Sequence, residues 1–222
     1  MSQEALAFDM YGTLVNPIRI WTQLEQYIPD GAHHIAEVWR QKQLEYSFRM
    51  SVMEQYEDFA WITRKALDYA LMAAGKQLSE TQKLVLMAQY NDLDRFPDVL
   101  LGLEQLHLRG FTMVVFSNGS PAMLNAIMQA AQLNSYFQGF VSVDEIRIYK
   151  PSPRAYQLVA QKLARPIQEV RLISSNPFDV IGARSAGMQA TWINRSGGLF
   201  DTLGPLPDMV IETITELAST LS

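Results

Sequence analysis

Ala5-Leu6-Ala7-Phe8-Asp9-Met10-Tyr11-Gly12-Thr13 is a four-residue apolar run that ends on an acid, with a glycine breaking the pattern soon after. A continuous apolar run of that length suits a strand buried on both faces of a parallel sheet better than a half-exposed one. The form recurs downstream. Phe111-Thr112-Met113-Val114-Val115-Phe116 reads as a buried strand leading into Ser117-Asn118-Gly119, and residues 140–143, 170–173 and 190–193 read as further strands. Helical stretches fall between them. They cover about 98–109, stopped by Gly110; about 121–132, with Pro121 tolerated in a first turn; 154–163; and about 180–186, stopped by Gly187. Strand and helix in alternation is the signature of a parallel sheet with crossover helices, so the expected fold class is α/β.

Between the first two strands, from residue 18 to about 90, no strand signal appears. Trp39, Leu44 and Phe48, then Tyr56, Phe59, Ile62, Ala66 and Tyr69, recur at three- and four-residue spacing, as on helices. Gly75 is a helix stop, and Ser79 with Gln82 three residues on has the form of a capping box. The 222 residues are therefore one large domain, or one domain carrying an insertion. With 18 Lys and Arg against 23 Asp and Glu, the chain has no basic footprint for nucleic acid or acidic lipid. It has no cysteine, which excludes disulfides, thiolate metal sites and a Cys nucleophile. The early first strand leaves no room for a signal peptide, and no apolar run approaches the ~18 residues of a membrane span. A soluble, cytoplasmic protein is expected. His33 and His34 are adjacent, face different directions on a helix, and read as surface rather than as metal ligands.

In an open parallel sheet, ligands bind just beyond the carboxyl ends of the strands. Asp9 follows the first strand and Ser117-Asn118-Gly119 the second. Tyr149-Lys150-Pro151 follows the third by a short loop, and Ser174-Ser175-Asn176-Pro177-Phe178-Asp179 follows the fourth. Each residue alone reads as readily as a cap or turn: Ser117 and Ser174 as N-caps, Asp179 as an acid near a helix N-terminus. Polar residues at four strand ends, with Lys150 set between two carboxylates, read together as a chemical centre.

These four segments resemble the four motifs of the haloacid dehalogenase superfamily, and more narrowly those of its L-2-haloacid dehalogenase (type II) subgroup. The likeness runs in order from Phe8 to about Arg195. It includes the insert, where Trp39-Arg40-Gln41-Lys42-Gln43-Leu44-Glu45-Tyr46 is similar to that subgroup's cap helix. It implies a Rossmann-like parallel sheet core of residues 1–16 and 93–222, with an inserted helical cap of residues 17–92. Phosphatases of the superfamily carry a second Asp two residues after the nucleophile, and their last motif supplies carboxylates for Mg²⁺. Here Tyr11 stands in the first place, and residues 174–179 contain one acid, Asp179. A carboxylate attacking a phosphate dianion needs a cation between them, and two acids supply an octahedral Mg²⁺ site poorly. A magnesium-dependent small-molecule phosphatase is the alternative reading; in the preferred one no metal and no cofactor takes part.

Hydrolysis of a short 2-haloalkanoic acid asks for other groups. The carbon bearing halogen is electrophilic without a metal, and the leaving halide needs donors but no proton. Asp9 is the expected nucleophile. The resemblance assigns Arg40 and Asn118 to the halide, and Ser117, Lys150 and backbone N–H groups after Asp9 to the substrate carboxylate. In-line attack by Asp9 on C2 gives an ester with inverted configuration, so an (S)-2-haloacid yields an (R)-2-hydroxy acid. Water then attacks the carboxyl carbon of Asp9. Asp179, held by Lys150 and Asn176, is expected to orient or deprotonate that water.

The resemblance adds Thr13, Ser174 and Tyr156 to the supporting network. It draws the pocket wall from Gln41, Leu44 and Phe59 in the insert and from Tyr11 and Phe178 in the core loops. Phe178 stands where relatives commonly carry Trp, which bears on substrate size. On spacing alone, Leu44 and Phe59 read as ordinary helix core. Expected partners are the haloalkanoate substrate and the halide product, with no nucleic acid and no membrane. Because relatives commonly dimerise, the resemblance allows a homodimer to which the aromatic-rich cap contributes.

Overall fold

The computed structural model describes residues 3–221. Their six strands are β1 (Ala5–Phe8), β2 (Met113–Ser117), β3 (Phe140–Ser142), β4 (Val170–Ser174), β5 (Gln189–Ile193) and β6 (Met209–Ile211). They form one sheet in the order β3-β2-β1-β4-β5-β6, with every pairing parallel. β1 lies in the middle, Phe8 standing opposite Val115 on one side and Ile173 on the other. All four of its residues are fully buried, as its unbroken apolar run requires. From β1 the chain builds out through β2 to β3, then returns to the other flank of β1 with β4. The strand order reverses beside β1, so Asp9 sits at the topological switch point, where open α/β sheets bind ligands.

Helices of the described chain are α1 (Trp21–Glu25), α2 (Ala32–Val52), α3 (Phe59–Ala73), α4 (Glu80–Gln89), α5 (Val99–Leu108), α6 (Pro121–Ala130), α7 (Pro153–Lys162), α8 (Pro177–Ser185) and α9 (Ile214–Thr220). The first four follow one another between β1 and β2, and α2 packs along α3. The capping box at Ser79 and Gln82 is complete, each side chain bonded to the other residue's backbone N–H. His33 and His34 are exposed in the first turn of α2 and face Glu37.

Several boundaries differ from the sequence reading for local reasons. β2 begins at Met113, two residues later than expected, and β3 ends at Ser142, whose hydroxyl caps a short 3-10 turn by accepting from Asp144 N. Tyr56 is not on the helical stripe. α3 starts at Phe59 because Asp58 Oδ1 accepts from Trp61 N (2.8 Å), and Tyr56 instead donates to Asp144 Oδ1 (2.6 Å). On α2 the buried stripe is Ile35, Trp39, Gln43 and Ser47, while Leu44 and Phe48 are half-buried. The helix expected at 180 starts at Pro177, so Phe178 and Asp179 lie in its first turn rather than in a loop. β6 and α9 lie beyond the elements that the sequence pattern marks. α9 closes on α5 at Gly102, where a Cβ would stand 2.5 Å from the Ile214 side chain.

Candidate active site

Asp9 still belongs to the sheet, its N–H bonding Ile173 O (3.0 Å), but its carboxylate projects past the end of β1. The next residues turn sharply at Gly12, whose φ of +94° suits glycine. The turn brings Thr13 back beneath the carboxylate. Asp9 Oδ2 accepts from Asn176 Nδ2 (2.7 Å), Thr13 Oγ1 (3.1 Å) and, at longer range, Ser174 Oγ (3.5 Å). Thr13 Oγ1 in turn accepts from Ser175 N (2.9 Å), and Ser174 Oγ from Asn176 N (3.1 Å). The segments after β1 and β4 are thus stitched together around one oxygen. Among the described residues, Asp9 Oδ1 meets only Lys150 Nζ, at 3.3 Å.

Lys150 is 1% exposed and its ammonium has three acceptors. They are Asp179 Oδ2 (2.9 Å), Phe116 O (2.7 Å) and Asp9 Oδ1, and the ammonium also lies 4.0 Å from the Phe116 ring centroid. Asp179 is wholly buried in the first turn of α8. Tyr156 on α7 donates to its Oδ1 (2.8 Å) and reaches its backbone carbonyl (3.1 Å). That approach needs Gly182, where a Cβ would come within 2.4 Å of the Tyr156 hydroxyl. Burial raises the Asp179 carboxyl above the ordinary carboxylate range; Lys150 opposes the rise and the charge of Asp9 adds to it. Burial, with the neighbouring Asp179 charge, also holds the Tyr156 phenol well above its usual value.

From the other side Arg40 on α2 reaches across the gap, Nη2 donating to Tyr11 O (3.1 Å) and Nη1 to Gln43 Oε1 (2.7 Å). Two carboxylates, one ammonium and one guanidinium balance in charge. Arg40, Asn176 and Ser175 also line a cavity of about 460 Å³ that runs out past Trp192 and Arg195. Tyr11 lies between the Phe59 ring (5.7 Å) and the Tyr90 ring (5.5 Å). Its hydroxyl is buried without a partner, and its phenol is raised by that burial. Phe178 packs edge-on against Phe48 of α2 at 5.0 Å.

The structure brings Asp9, Thr13, Lys150, Tyr156, Ser174, Asn176 and Asp179 into one hydrogen-bonded network. One expectation is corrected. Asn176 does not hold the Asp179 side chain: as the N-cap of α8 its amide points back to β1, onto Asp9 and Tyr11 O, and only its carbonyl meets Asp179 N (3.0 Å). Ser117 and Asn118 flank the site, but their oxygens shape the backbone. Ser117 Oγ accepts from Gly119 N (3.1 Å) and Asn118 Oδ1 from Lys150 N (3.0 Å). Leu44 is half-buried, Phe59 is buried against Tyr11, and Gln41 is exposed with no hydrogen bond to the site. The sequence reading missed Gln43, Thr63 and Tyr90, which hold Arg40 from behind. Gln43 had one legible signal, a polar residue with a long side chain four positions from Trp39 and eight from Ile35, on the same face of α2.

Residues 3–187 match the family described as haloacid dehalogenase-like hydrolase. The chain is 35% identical to (S)-2-haloacid dehalogenase 2 of Pseudomonas sp. (strain CBS-3), over 98% of this chain and 95% of the relative. It is 37% identical to haloacetate dehalogenase H-2 of Moraxella sp. (strain B), over 94% of this chain and 93% of that one. Among solved structures it resembles the L-2-haloacid dehalogenase of Xanthobacter autotrophicus with chloropropionic acid covalently bound, at a TM-score of 0.91 and 32% identity, covering 98% of each chain. A buried Asp-Lys-Asp centre at the switch point of a parallel sheet, and a likeness that spans the chain, lead to one conclusion: the chain belongs to the haloacid dehalogenase-like hydrolase family.

Proposed function

We propose that the protein hydrolyses short (S)-2-haloalkanoic acids to (R)-2-hydroxyalkanoic acids and halide, through an ester on Asp9 and without a metal ion. One observation carries the reading. Asp9 Oδ2 is claimed by three donors, whereas Oδ1 meets only the Lys150 ammonium, so a single oxygen is left free to attack. The family relationship and the covalently bound acid in a structural relative support it.

Oδ1 attacks C2 as the carbon–halogen bond breaks, and the electron pair leaves with the halide between Arg40 and the Asn118 amide. Ser117, Lys150 and the backbone after Asp9 receive the substrate carboxylate. Tyr11, Phe59, Leu44 and Phe178 line the apolar side, with Gln41 at its outer edge. Water then adds to the carboxyl carbon of Asp9 and gives a proton to Asp179. The bond from that carbon to Oδ1 breaks, and Oδ1 departs as an alkoxide that takes the proton back from Asp179 to become the product hydroxyl. The oxygen that water added gives its remaining proton to solvent, which restores the Asp9 carboxylate. A raised Asp179 carboxyl suits a proton acceptor. Thr13, Ser174 and Asn176 hold the opposite oxygen throughout, and Tyr156 fixes Asp179. A cation already occupies the space between the carboxylates, since Lys150 Nζ is 2.9 Å from Asp179 and 3.3 Å from Asp9. The phosphatase alternative is set aside: Tyr11, in the place of a second acid, is locked among aromatic rings.

In this proposal residues 1–16 and 93–222 form the core and residues 17–92 a cap, with Arg40 the cap's contribution to the chemistry. The protein acts in the cytoplasm; no helix of the described residues is long and apolar enough to cross a membrane. A homodimer meeting on α2 and α3 would cover Met53, Trp61 and Met72, which are exposed. Sedimentation is then expected to give twice the chain mass, and a monomer at micromolar concentration would refute it.

The test of the function is chloride release from separate (S)- and (R)-2-chloropropionate in the presence of EDTA. The (S) form alone is expected to react, yielding (R)-2-hydroxypropionate, with no effect of the chelator. No release from either form, or loss of release with EDTA, would overturn the proposal.

A further inference from the structure

We infer that Gln43 is a positioning residue for the reaction: it fixes the Arg40 guanidinium in the pose that receives the halide. The inference rests on the reading of Arg40 given above. Gln43 lies in the middle of α2 and is wholly buried, where a primary amide must find partners for both its oxygen and its N–H₂. It finds them on three sides. Oε1 accepts from Arg40 Nη1 (2.7 Å) and from the Tyr90 hydroxyl (2.9 Å), while Nε2 donates to Thr63 Oγ1 (2.6 Å). The Thr63 hydroxyl in turn donates to Phe59 O (2.6 Å), within α3.

This chain of donors allows one orientation of the amide. Reversed, Gln43 would set its N–H₂ against a guanidinium and a phenol that both need an acceptor. Neither anchor is loose. Trp39 Nε1 donates to Thr63 O (2.7 Å), and the Trp39 ring packs on Tyr90 at 5.4 Å. Tyr90 in turn packs on Tyr11 at 5.5 Å. Arg40 is therefore held by Gln43 behind and Tyr11 O in front, with the Tyr90 hydroxyl also against it. Two fixed hydrogen bonds set the plane of a guanidinium and so fix the directions of its other N–H groups. An unpinned arginine would lose much of its rotamer freedom on meeting the halide, and that loss would weaken its help to the transition state.

The test compares kcat/KM for (S)-2-bromopropionate and (S)-2-chloropropionate, since this quantity reports steps up to halide departure. Chloride is the poorer leaving group and depends more on its donors. In Gln43→Leu both values are expected to fall, and the bromide-to-chloride ratio to rise about fivefold, as expected when a leaving-group donor is misplaced. Thr63→Val frees Nε2 from its anchor while leaving Gln43 in place, and should raise the ratio in smaller measure; it serves where Gln43→Leu does not fold. In an Arg40→Gln background, Gln43→Leu should leave the ratio where Arg40→Gln put it, because Gln43 acts through Arg40. A general loss of packing would lower both substrates alike. An unchanged ratio in the folded variants, or a further rise in the double variant, would overturn the inference. Absence of halide release from the unaltered protein would instead overturn the reading of Arg40 on which it rests.

Discussion

Asp9→Asn is expected to lower turnover by about 10⁴-fold or more, the loss typical of a removed nucleophile, while leaving the protein folded. An amide oxygen still accepts from Thr13, Ser174 and Asn176, so the stitching of the segments after β1 and β4 survives. What disappears is the nucleophilic Oδ1. Lys150 keeps Asp179 as its partner at 2.9 Å and is not left as an unpaired buried charge. With Asp9 neutral, one of the causes that hold the Asp179 carboxyl high is also removed, so Asp179 titrates lower than in the unaltered protein. The check is halide release by ion chromatography, beside a thermal melt. A variant that melts normally and releases halide at more than a hundredth of the original rate would contradict the assignment.

Lys150→Met is the second large effect, and it strikes stability as well as rate. The ammonium is 1% exposed and stands between two carboxylates, one of them wholly buried. Removing one partner of a buried ion pair leaves the other charge without compensation, at a cost of about 3–5 kcal/mol. Turnover is expected to fall about 10³-fold, because Lys150 no longer opposes the rise of the Asp179 carboxyl, and a carboxyl that holds its proton more tightly is less often free to accept one from water.

The pH dependence follows from the direction of that shift. A carboxyl raised in the folded state binds its proton more tightly there than in the unfolded chain. Stability associated with it is greatest where both states are protonated and falls as pH rises through the window between the two values. Without Lys150 the folded value is higher still, so the window reaches further up. Acidification should therefore narrow the gap in unfolding free energy between Lys150→Met and the unaltered protein. Using the difference cancels the surface carboxylates Glu45, Asp68 and Glu80, whose folded values are lowered by their own ion pairs. Denaturant titrations across mildly acidic to neutral pH measure the gap; one that stays constant or widens on acidification would refute this account.

The strands that carry the site were legible because each announces itself locally. β1 is an unbroken apolar run, β2 one up to its closing Ser117, and β4 is apolar but for Arg171; each hands over to polar residues at its carboxyl end. Asp9, Lys150 and Asp179 could be placed on a list from strand ends alone. Their mutual arrangement could not. Asn176 binds Asp9 rather than Asp179 because it caps α8, whose start at Pro177 was hidden inside a motif that read as a loop. β6 is three residues long at the edge of the sheet, with Val210 half exposed, and such a strand leaves little pattern to read. The support behind Arg40 was illegible for another reason. Thr63 and Tyr90 lie twenty and forty-seven positions from Gln43 and meet it only when α3 and the end of α4 fold against α2. Within α2 itself the spacing suggested Leu44 and Phe48 as the buried face, whereas the helix turns Gln43 and Ser47 inward.

The central claim is that the substrate carbon passes through an ester on Asp9, whose own oxygen becomes the product hydroxyl. A single turnover in ¹⁸O-labelled water, with enzyme in excess over (S)-2-chloropropionate, tests it directly by mass spectrometry of the peptide containing Asp9 and of the released acid. Label is predicted in the Asp9 carboxyl and absent from the 2-hydroxypropionate. Label in the hydroxyl of the product from that first turnover, with none in Asp9, would contradict the ester and show water attacking C2 itself.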